Sequence, residues 1–456
     1  MKEGYHFIGI GGVGMSALAH ILLGKNIQVS GSDSKRSAIT EGLTERGAVI
    51  SYMQKETNVS PGKTIVYSTA IKEDNPEYLE AKRLNLPILH RSDLLQSLMG
   101  EKNELVVAGA HGKTTVTSLL AYVLKLAGLD PSYAVGGNSP SLEANGWSGK
   151  GDYFVVEGDE SDGSFLKTKP YGAILNNIDS DHVKYYWETY DDLLNAYKEF
   201  ISLVNQHHLF VYNFDDPTLK KWAPQGTSFG ASSGADVRAE NIIEEGFGMV
   251  FDIIDGQKSL RGVRLSLVGR HNALNATGIY TLASRLGVSD DVIRSAFASF
   301  RGVKRRMDIK SQKNNITVID DYAHHPKEIL ETVSAVERAF PLKRVLKVVQ
   351  PHRYTRVASL LSEFVEALSK ISENLIITEI CSAGESPEGL ITTEDFLDAL
   401  EKKAEFQYVP TESLAPFLLK TVQPGDVVLM MGAGDITRES FKLAEKINQE
   451  SDSILC

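Results

Sequence analysis

"LVVAGAHGKTTVTSLL", residues 105–120, is the stretch on which the reading of this chain turns. Leu105 to Ala108 are an apolar run of strand type. A turn, G-A-H-G-K-T-T, then runs from Gly109 through Ala110, His111, Gly112, Lys113 and Thr114 to Thr115. Beyond it Val116, Leu119, Leu120, Val123 and Leu124 fall at i, i+3, i+4, i+7 and i+8, the buried face of a helix. Gly128 is placed to stop that helix. In a strand–turn–helix of this kind, backbone N–H groups and the helix N-terminus surround phosphate oxygens. Lys113 would reach the β- and γ-phosphates, and Thr114 would offer its hydroxyl to Mg²⁺. The strict G-x-x-x-x-G-K-[ST] pattern wants glycine where this chain has Val107; the strand–turn–helix context compensates. The plain alternative is a strand-to-helix turn with no ligand.

A second glycine loop lies near the start. "FIGIGGVGMSALAHI", residues 7–21, spaces Gly9, Gly11 and Gly14 as G-x-G-x-x-G between a strand and a helix, with Asp33 further on. Alone it reads as a dinucleotide site. Strand-like runs alternate with helical patterns along the whole chain, among them "NIQVSGSD", "DYFVVEGDE", "YGAILNNID", "HLFVYNFDD", "NITVIDDY", "RVLKVVQPH", "NLIITEI" and "GDVVLMMGAGD". That alternation predicts an α/β protein with largely parallel sheets. Pro326 is placed to open the helix "PKEILETVSAVERAF".

At 456 residues the chain is too long for one ordinary core. The polar stretch "SLMGEKNE" and the basic stretch "RGVKRRMDIKSQKNN" suggest breaks, giving three domains: 1–100, 101–309 and 310–456. Residues 226–266 read as a small antiparallel addition to the middle one. The net charge of −11 argues against a nucleic-acid partner, since a duplex binder wants a basic face. The cysteines, Cys381 and Cys456, form no C-x-x-C, so neither a zinc site nor a disulfide framework is expected. No run of 18 apolar residues and no signal-peptide pattern occurs, so the expectation is a cytoplasmic protein with no membrane partner.

Three further constellations could carry chemistry. "VVEGDESDGSF" and "NNIDSDHVKYY" place Glu157 and His182 after strands, where ligands of open α/β sheets collect. Glu157 is the first choice for a Mg²⁺ carboxylate, and His182 could meet a second metal, though histidine is an unusual Mg²⁺ ligand. Asp159, Glu160 and Asp162 read as a solvated charge run. "VGRHNALNATG", residues 268–278, offers His271, Asn272 and Asn275 to a nucleotide, with helix capping as the competing use. "VIDDYAHHPKE" and "VVQPHRYTR" bring Asp320, Asp321, His324, His325, His352, Arg353 and Arg356 to strand ends. Arginines there suit bidentate capture of a carboxylate or phosphate; the competing use is helix capping by Asp321 and a satisfied histidine.

A phosphate loop, a carboxylate and an arginine cluster on successive α/β segments fit ATP chemistry; a dehydrogenase explains only the first loop. Together "GIGGVGMSALA", "GAHGKTT", "EGDESDGSFL", "GRHNALNA", "RGVKRRM", "DDYAHHP", "QPHRYTR" and "GAGDI" resemble, in order and over nearly the whole chain, the Mur ligases of peptidoglycan synthesis. Within that family they are most similar to the members that add L-alanine. The resemblance implies an N-terminal Rossmann-like domain for a UDP-sugar, a central P-loop ATPase-like domain and a C-terminal Rossmann-like domain for the amino acid. It implies that ATP phosphorylates the lactyl carboxylate of UDP-N-acetylmuramate and that L-alanine attacks the acyl phosphate, with ATP and Mg²⁺ required. By the same resemblance Gly11, Gly12 and Gly14 receive the UDP diphosphate, and Asp33 and Ser68 lie near the uridine or sugar. Residues 109–115 with His271, Asn272, Asn275, Arg306 and Asp321 meet ATP. Thr114, Glu157 and His182 are the metal positions. Lys113, His182, Arg306 and His325 are the catalytic set, and His325, Arg353 and Arg356 hold L-alanine and the sugar substrate. The chain departs from the family pattern at Ala110, Gly158 and Lys184, and Tyr197 stands where sister ligases carry a modified lysine. A peptide-recycling relative, an NAD-dependent dehydrogenase and a non-catalytic nucleotide-binding regulator are the competing readings; a monomer or homodimer is expected.

Overall fold

Three strand systems, each built mainly of parallel strands, account for the alternation seen in the sequence. The structure, a computed structural model, describes residues 4–179, 186–387 and 389–453. The first sheet holds β1 (Gly4–Ile8), β2 (Val29–Ser32), β3 (Val49–Ser51), β4 (Lys63–Tyr67) and β5 (Ile88–His90) in the order β3-β2-β1-β4-β5. All its pairings are parallel. Strand order reverses between β1 and β4, so the crevice at their C-terminal ends is where a ligand fits. The glycine loop after β1 and the turn at Ser68 after β4 meet there.

The second sheet has ten strands: β6 (Asn103–Ala108), β7 (Ser132–Ala134), β8 (Gly146–Trp147), β9 (Tyr153–Glu157), β10 (Pro170–Leu175), β11 (Phe210–Asn213), β12 (Thr227–Gly230), β13 (Val237–Glu244), β14 (Met249–Asp255) and β15 (Lys258–Leu265). Their order is β15-β14-β13-β12-β11-β10-β6-β9-β7-β8. β6 lies between β9 and β10, parallel to both, so the chain leaves it on either side and the switch point falls at its end. The helix Lys113–Leu126 starts there, and Val116, Leu119, Leu120, Val123 and Leu124 are all buried as their spacing predicts. Each such side chain contributes about 1.5–3 kcal/mol when withdrawn from water. Gly128, at φ +74°, follows the end of that helix. The stretch expected as an antiparallel addition starts differently: β12 pairs in parallel with both β11 and β13, extending the main sheet.

The third sheet holds β16 (Asp308–Lys313), β17 (Ile316–Asp321), β18 (Val345–Val349), β19 (Leu375–Ile377), β20 (Gln407–Tyr408) and β21 (Val427–Met431) in the order β16-β17-β21-β18-β19-β20. Only β16 runs antiparallel. Pro326 opens the helix Pro326–Ala339 at its first position, where a missing N–H costs nothing.

Two compact units result. One runs to Ile242 and takes in Val250–Ser266 and His271–Arg301; the other comprises Ile243–Met249, Leu267–Arg270 and the chain from Gly302. The first unit contains the first sheet and the second sheet apart from the β13–β14 turn and the strand ends beside it. Their junction is close: Asn145 Nδ2 donates to Val13 O at 2.8 Å and to Ser16 Oγ at 3.0 Å, in the helix Val13–Gly24. Beside it a Cβ on Gly146 would run into the carbonyl of Ala17. Among the described residues no helix is long and apolar enough to cross a membrane.

Gly146→Ala is expected to lower stability by at least about 2 kcal/mol, because backbone lies in the way and cannot yield as a side chain does. Gly42, inside the helix Ala38–Glu45 with open space around its Cβ direction, is the control. Gly42→Ala should stabilise by up to about 1 kcal/mol. Urea unfolding of both variants checks the contrast.

Candidate active site

The turn after β6 depends on two residues with positive φ, Gly109 at +132° and Gly112 at +81°. A Cβ on Gly109 would also press on the backbone of Asn177, 3.0 Å from its oxygen and 3.1 Å from its nitrogen. Asn177, at the end of β10, laces the turn down. Its Oδ1 accepts from His111 N at 2.8 Å, its Nδ2 donates to His111 O at 3.2 Å, and its carbonyl accepts from Ala110 N at 3.3 Å. Two N–H groups that the motif offers to a phosphate are thereby occupied. The donors left for an anion are those of the open first turn of the helix. That turn has Gly112 as its N-cap, no capping side chain and no acidic residue, so its positive end is uncountered by its own side chains. Asn177 is not singled out by the motif; the signal for it is its position just past a strand paired with β6.

Lys113 folds back over this turn. Its Nζ donates to Gly109 O at 2.7 Å and Ala110 O at 3.3 Å, and to Glu160 Oε1 and Oε2 at 2.8 and 2.7 Å. Glu160, read from the sequence as part of a solvated run, is only 1 % exposed. Removing one member of a buried ion pair costs about 3–5 kcal/mol, so this is a fixed contact. Its two acidic neighbours are not merely solvated either. Arg91 Nη2 lies 2.6 Å from Asp162 Oδ2 and 3.4 Å from Asp159 Oδ2, tying the loop to the first sheet's domain. Burial works to raise the Asp159 pKa, but the Lys113 charge, the Ser161 hydroxyl and Arg91 outweigh it and hold it low.

Glu157 ends β9 with its carboxylate beside the helix start. Oε1 accepts from Gly136 N at 2.6 Å and Oε2 from Thr114 Oγ1 at 3.2 Å. Burial pushes its pKa up, against the Gly136 hydrogen bond and the Lys113 charge. A half-buried carboxylate touching a threonine hydroxyl is a hard-oxygen pair that fits Mg²⁺. His182 and Lys184 lie outside the described residues. Among the described residues no group of three or more His, Cys, Asp or Glu is arranged around a metal position. A Cβ on Gly158 would sit 2.9 Å from Val106 Cγ1. Tyr197 is wholly buried, tilted edge-on to Phe165, while Lys198 lies over the Trp222 ring.

Asn272 and Asn275 lie inside the helix Arg270–Arg285, so neither caps it. The Asn275 amide lies against the phosphate turn, its nitrogen and oxygen 3.3 and 3.7 Å from a Cβ position on Gly112. Asn275 Nδ2 also donates to Asn272 Oδ1 at 3.4 Å. His271 is exposed at the same helix start.

In the first-sheet loop, Gly12 is the N-cap of the helix Val13–Gly24 and Gly14 lies in its first turn, facing Arg91. Asp33 turns inward: its Oδ2 accepts from Gly11 N at 2.8 Å. That carboxylate closes the loop, whereas a dinucleotide site would direct it to a ribose hydroxyl. Ser68 caps the adjacent turn, its carbonyl accepting from Ile71 N at 3.0 Å.

The second unit gathers its own polar cluster at the ends of β17, β21 and β18. Asp321 does not cap the following helix. Its Oδ1 accepts from Ala323 N at 2.8 Å and its Oδ2 from Met307 N at 2.7 Å, in the turn that carries Arg306. Burial raises the Asp321 pKa and the Arg306 charge opposes this. His325 is the N-cap instead, in a capping box with Glu328. Arg305 and Arg306 both lie over the Tyr322 ring, and Arg305 Nη2 donates to Gly432 O and Gly434 O at 2.9 and 3.1 Å. Sequence reasoning passed over Arg305; the basic run gave no reason to prefer either arginine. Arg353 adopts φ +68°, a strained state for a residue with a Cβ, with its N–H on Cys381 O at 2.8 Å. Arg356 Nη1 lies 3.4 Å from His352 Nδ1. Burial and the two arginine charges push the His352 pKa down to about 4, and burial does the same to His324.

Comparison with known proteins gives a consistent result. Three family profiles match in order: "Mur ligase family, catalytic domain" over residues 4–103, "Mur ligase middle domain" over 107–283, and "Mur ligase, glutamate ligase domain" over 305–434. The UDP-N-acetylmuramate–L-alanine ligase of Protochlamydia amoebophila is 41% identical over 98% of this chain and 99% of its own. That of Pelobacter propionicus is 38% identical over 98% and 99%. Among solved structures, the UDP-N-acetylmuramate–alanine ligase of Thermotoga maritima superposes with a TM-score of 0.85 at 27% identity, covering 98% of this chain and 99% of the other. A murein peptide ligase of Psychrobacter arcticus shares the fold with a TM-score of 0.73 at 21% identity, over 98% of both chains.

Asn177→Ala should release the phosphate turn. The loss of its side-chain hydrogen bonds to His111 is expected to cost about 1–3 kcal/mol of stability. It should also weaken binding of a non-hydrolysable ATP analogue by about tenfold, since the donors lose their fixed geometry. Thermal unfolding and a nucleotide titration check the two parts; unchanged nucleotide affinity would show that the lacing does not matter to the site.

Proposed function

The chain belongs to the Mur ligase family, and from that premise we propose that it is an ATP-dependent ligase joining L-alanine to the lactyl carboxylate of UDP-N-acetylmuramate in peptidoglycan synthesis. The observation that carries the reading is the phosphate turn: Lys113 and the uncapped helix start face the same place as the Thr114–Glu157 pair. The same reading assigns residues 1–100 to the UDP-sugar, 101–309 to ATP and 310–456 to the amino acid, and places the protein in the cytoplasm with its nucleotide substrates.

The chemistry follows from what a carboxylate lacks. Its oxygen is a poor leaving group, so the γ-phosphoryl of ATP is transferred to it, giving an acyl phosphate and ADP. The amine of L-alanine then attacks the acyl carbon. The tetrahedral intermediate collapses, phosphate leaves, the nitrogen loses a proton, and an amide remains. Lys113 and the helix N-terminus stabilise charge on the phosphoryl group in flight. Asn275, with Asn272 and His271 on the same helix, would border the nucleotide. Thr114 and Glu157, with His182, would hold Mg²⁺, which when bound neutralises charge on the phosphate oxygens. Gly11, Gly12 and Gly14, near Asp33 and Ser68, would seat the UDP diphosphate. Arg306 and Asp321 are assigned to the nucleotide, and His325, Arg353 and Arg356 to L-alanine and the sugar, the guanidiniums holding a carboxylate as a fork.

ADP release measured with each of the three substrates omitted in turn is the decisive experiment. Release only when all are present is expected; release that ignores L-alanine would overturn the assignment. Lys113→Ala should lower kcat by a factor of about 10³ or more, measured on protein shown by circular dichroism to be folded, because the transferring phosphoryl loses its fixed cation. Arg353→Ala should raise the KM for L-alanine or the UDP-sugar by about tenfold or more and leave that for ATP alone. A defect confined to ATP would show that the arginine cluster belongs elsewhere.

A further inference from the structure

The phosphate-loop lysine is saturated before any nucleotide arrives. An ammonium has three N–H donors, and Lys113 Nζ meets three oxygens at 2.7–2.8 Å, Gly109 O and both carboxylate oxygens of Glu160, with Ala110 O looser at 3.3 Å. To touch a phosphate it must give up one of these. Which one is decided by what each leaves behind.

Glu160 is interior, 1 % exposed, so parting it from the ammonium breaks an ion pair held away from water. The Gly109 and Ala110 carbonyls are neutral and belong to the turn that the nucleotide lines, so losing their contact is far less costly. Nor can Glu160 follow a moving lysine. Trp187 Nε1 donates to its carbonyl at 2.8 Å, and its neighbours Asp159 and Asp162 are gripped by Arg91. We infer that Glu160 is a positioning residue: the Lys113–Glu160 pair stays intact when ATP binds, and the triphosphate displaces the loop carbonyls. Glu160 then fixes where Nζ stands, and the lysine meets the phosphate with its charge already half answered. The pair adds little to ground-state attraction and chiefly supplies direction during transfer. This rests on the ligase reading above for its turnover assay but not for its binding assay.

The test compares wild type with Glu160→Gln, which keeps the shape and removes the charge. With all three substrates, kcat should fall by about 10–100-fold while the KM for ATP stays within about threefold or decreases, since misplacing a catalytic group by an ångström has effects of this size. A non-hydrolysable ATP analogue should bind Glu160→Gln as tightly as wild type or more tightly. Glu160→Asp, charged but one methylene short, should recover part of kcat. Unchanged kcat in Glu160→Gln, or analogue affinity reduced more than tenfold, overturns the inference. If Glu160→Gln does not fold, Glu160→Asp decides: lowered kcat with unaltered analogue affinity supports the role, and full kcat overturns it. Wild-type protein that releases no ADP would sink the ligase reading alone, and the analogue titration of the variants would still decide this one.

Discussion

Everything at the nucleotide end rests on one steric demand. A chain leaving a buried strand must turn at once into a helix whose free N–H groups face open space. Two left-handed glycines make the turn, and the Asn177 side chain holds it by both the N–H and the carbonyl of His111. The helix behind it is anchored by its apolar face, so its positive end cannot retreat from the ligand position. Lys113 and Thr114 inherit their places from that geometry.

Charge is arranged around the turn in pairs rather than spread out. Glu160 answers Lys113, and Arg91 answers Asp159 and Asp162. Glu157 is the exception: its nearest partners are a backbone N–H and a hydroxyl, and burial raises its pKa. A carboxylate hydrogen-bonded to neutral groups alone gains from a cation that joins it directly. This is why the donor set at Thr114 and Glu157 suits a divalent ion, next to a loop whose three carboxylates, Asp159, Glu160 and Asp162, are met by two cations, Lys113 and Arg91.

The first two domains are built to act as one body. Asn145 bonds the helix that follows the first glycine loop, Gly146 allows backbone to lie on backbone, and Arg91 spans from the first domain to the acidic loop. The first glycine loop and the acidic loop beside the phosphate turn thus belong to one compact unit joined by direct contacts. The cluster of Arg306, Asp321, Arg353 and Arg356 belongs to the other unit, where burial lowers the pKa of His324 and His352 and Arg353 holds a positive φ.

The sequence by itself determined the strands β1, β2, β6, β9, β10, β11, β17, β18, β19 and β21, the helix after the phosphate turn and the opening of a helix at Pro326. Those depend on period, on glycine and proline backbone limits and on local motif spacing, all of which act within about a dozen residues. Only the tertiary structure decided which polar groups face one another. Asn177 and Glu160 looked unremarkable because their partners lie on other strands, 66 and 47 positions away. No local pattern showed that Asp33 accepts from Gly11 N, and helix capping, the competing use weighed for Asp321, gave way to Met307 and Ala323 on its oxygens. A side chain's role follows from its neighbours in space, and sheet order, which no local pattern encodes, sets those neighbours.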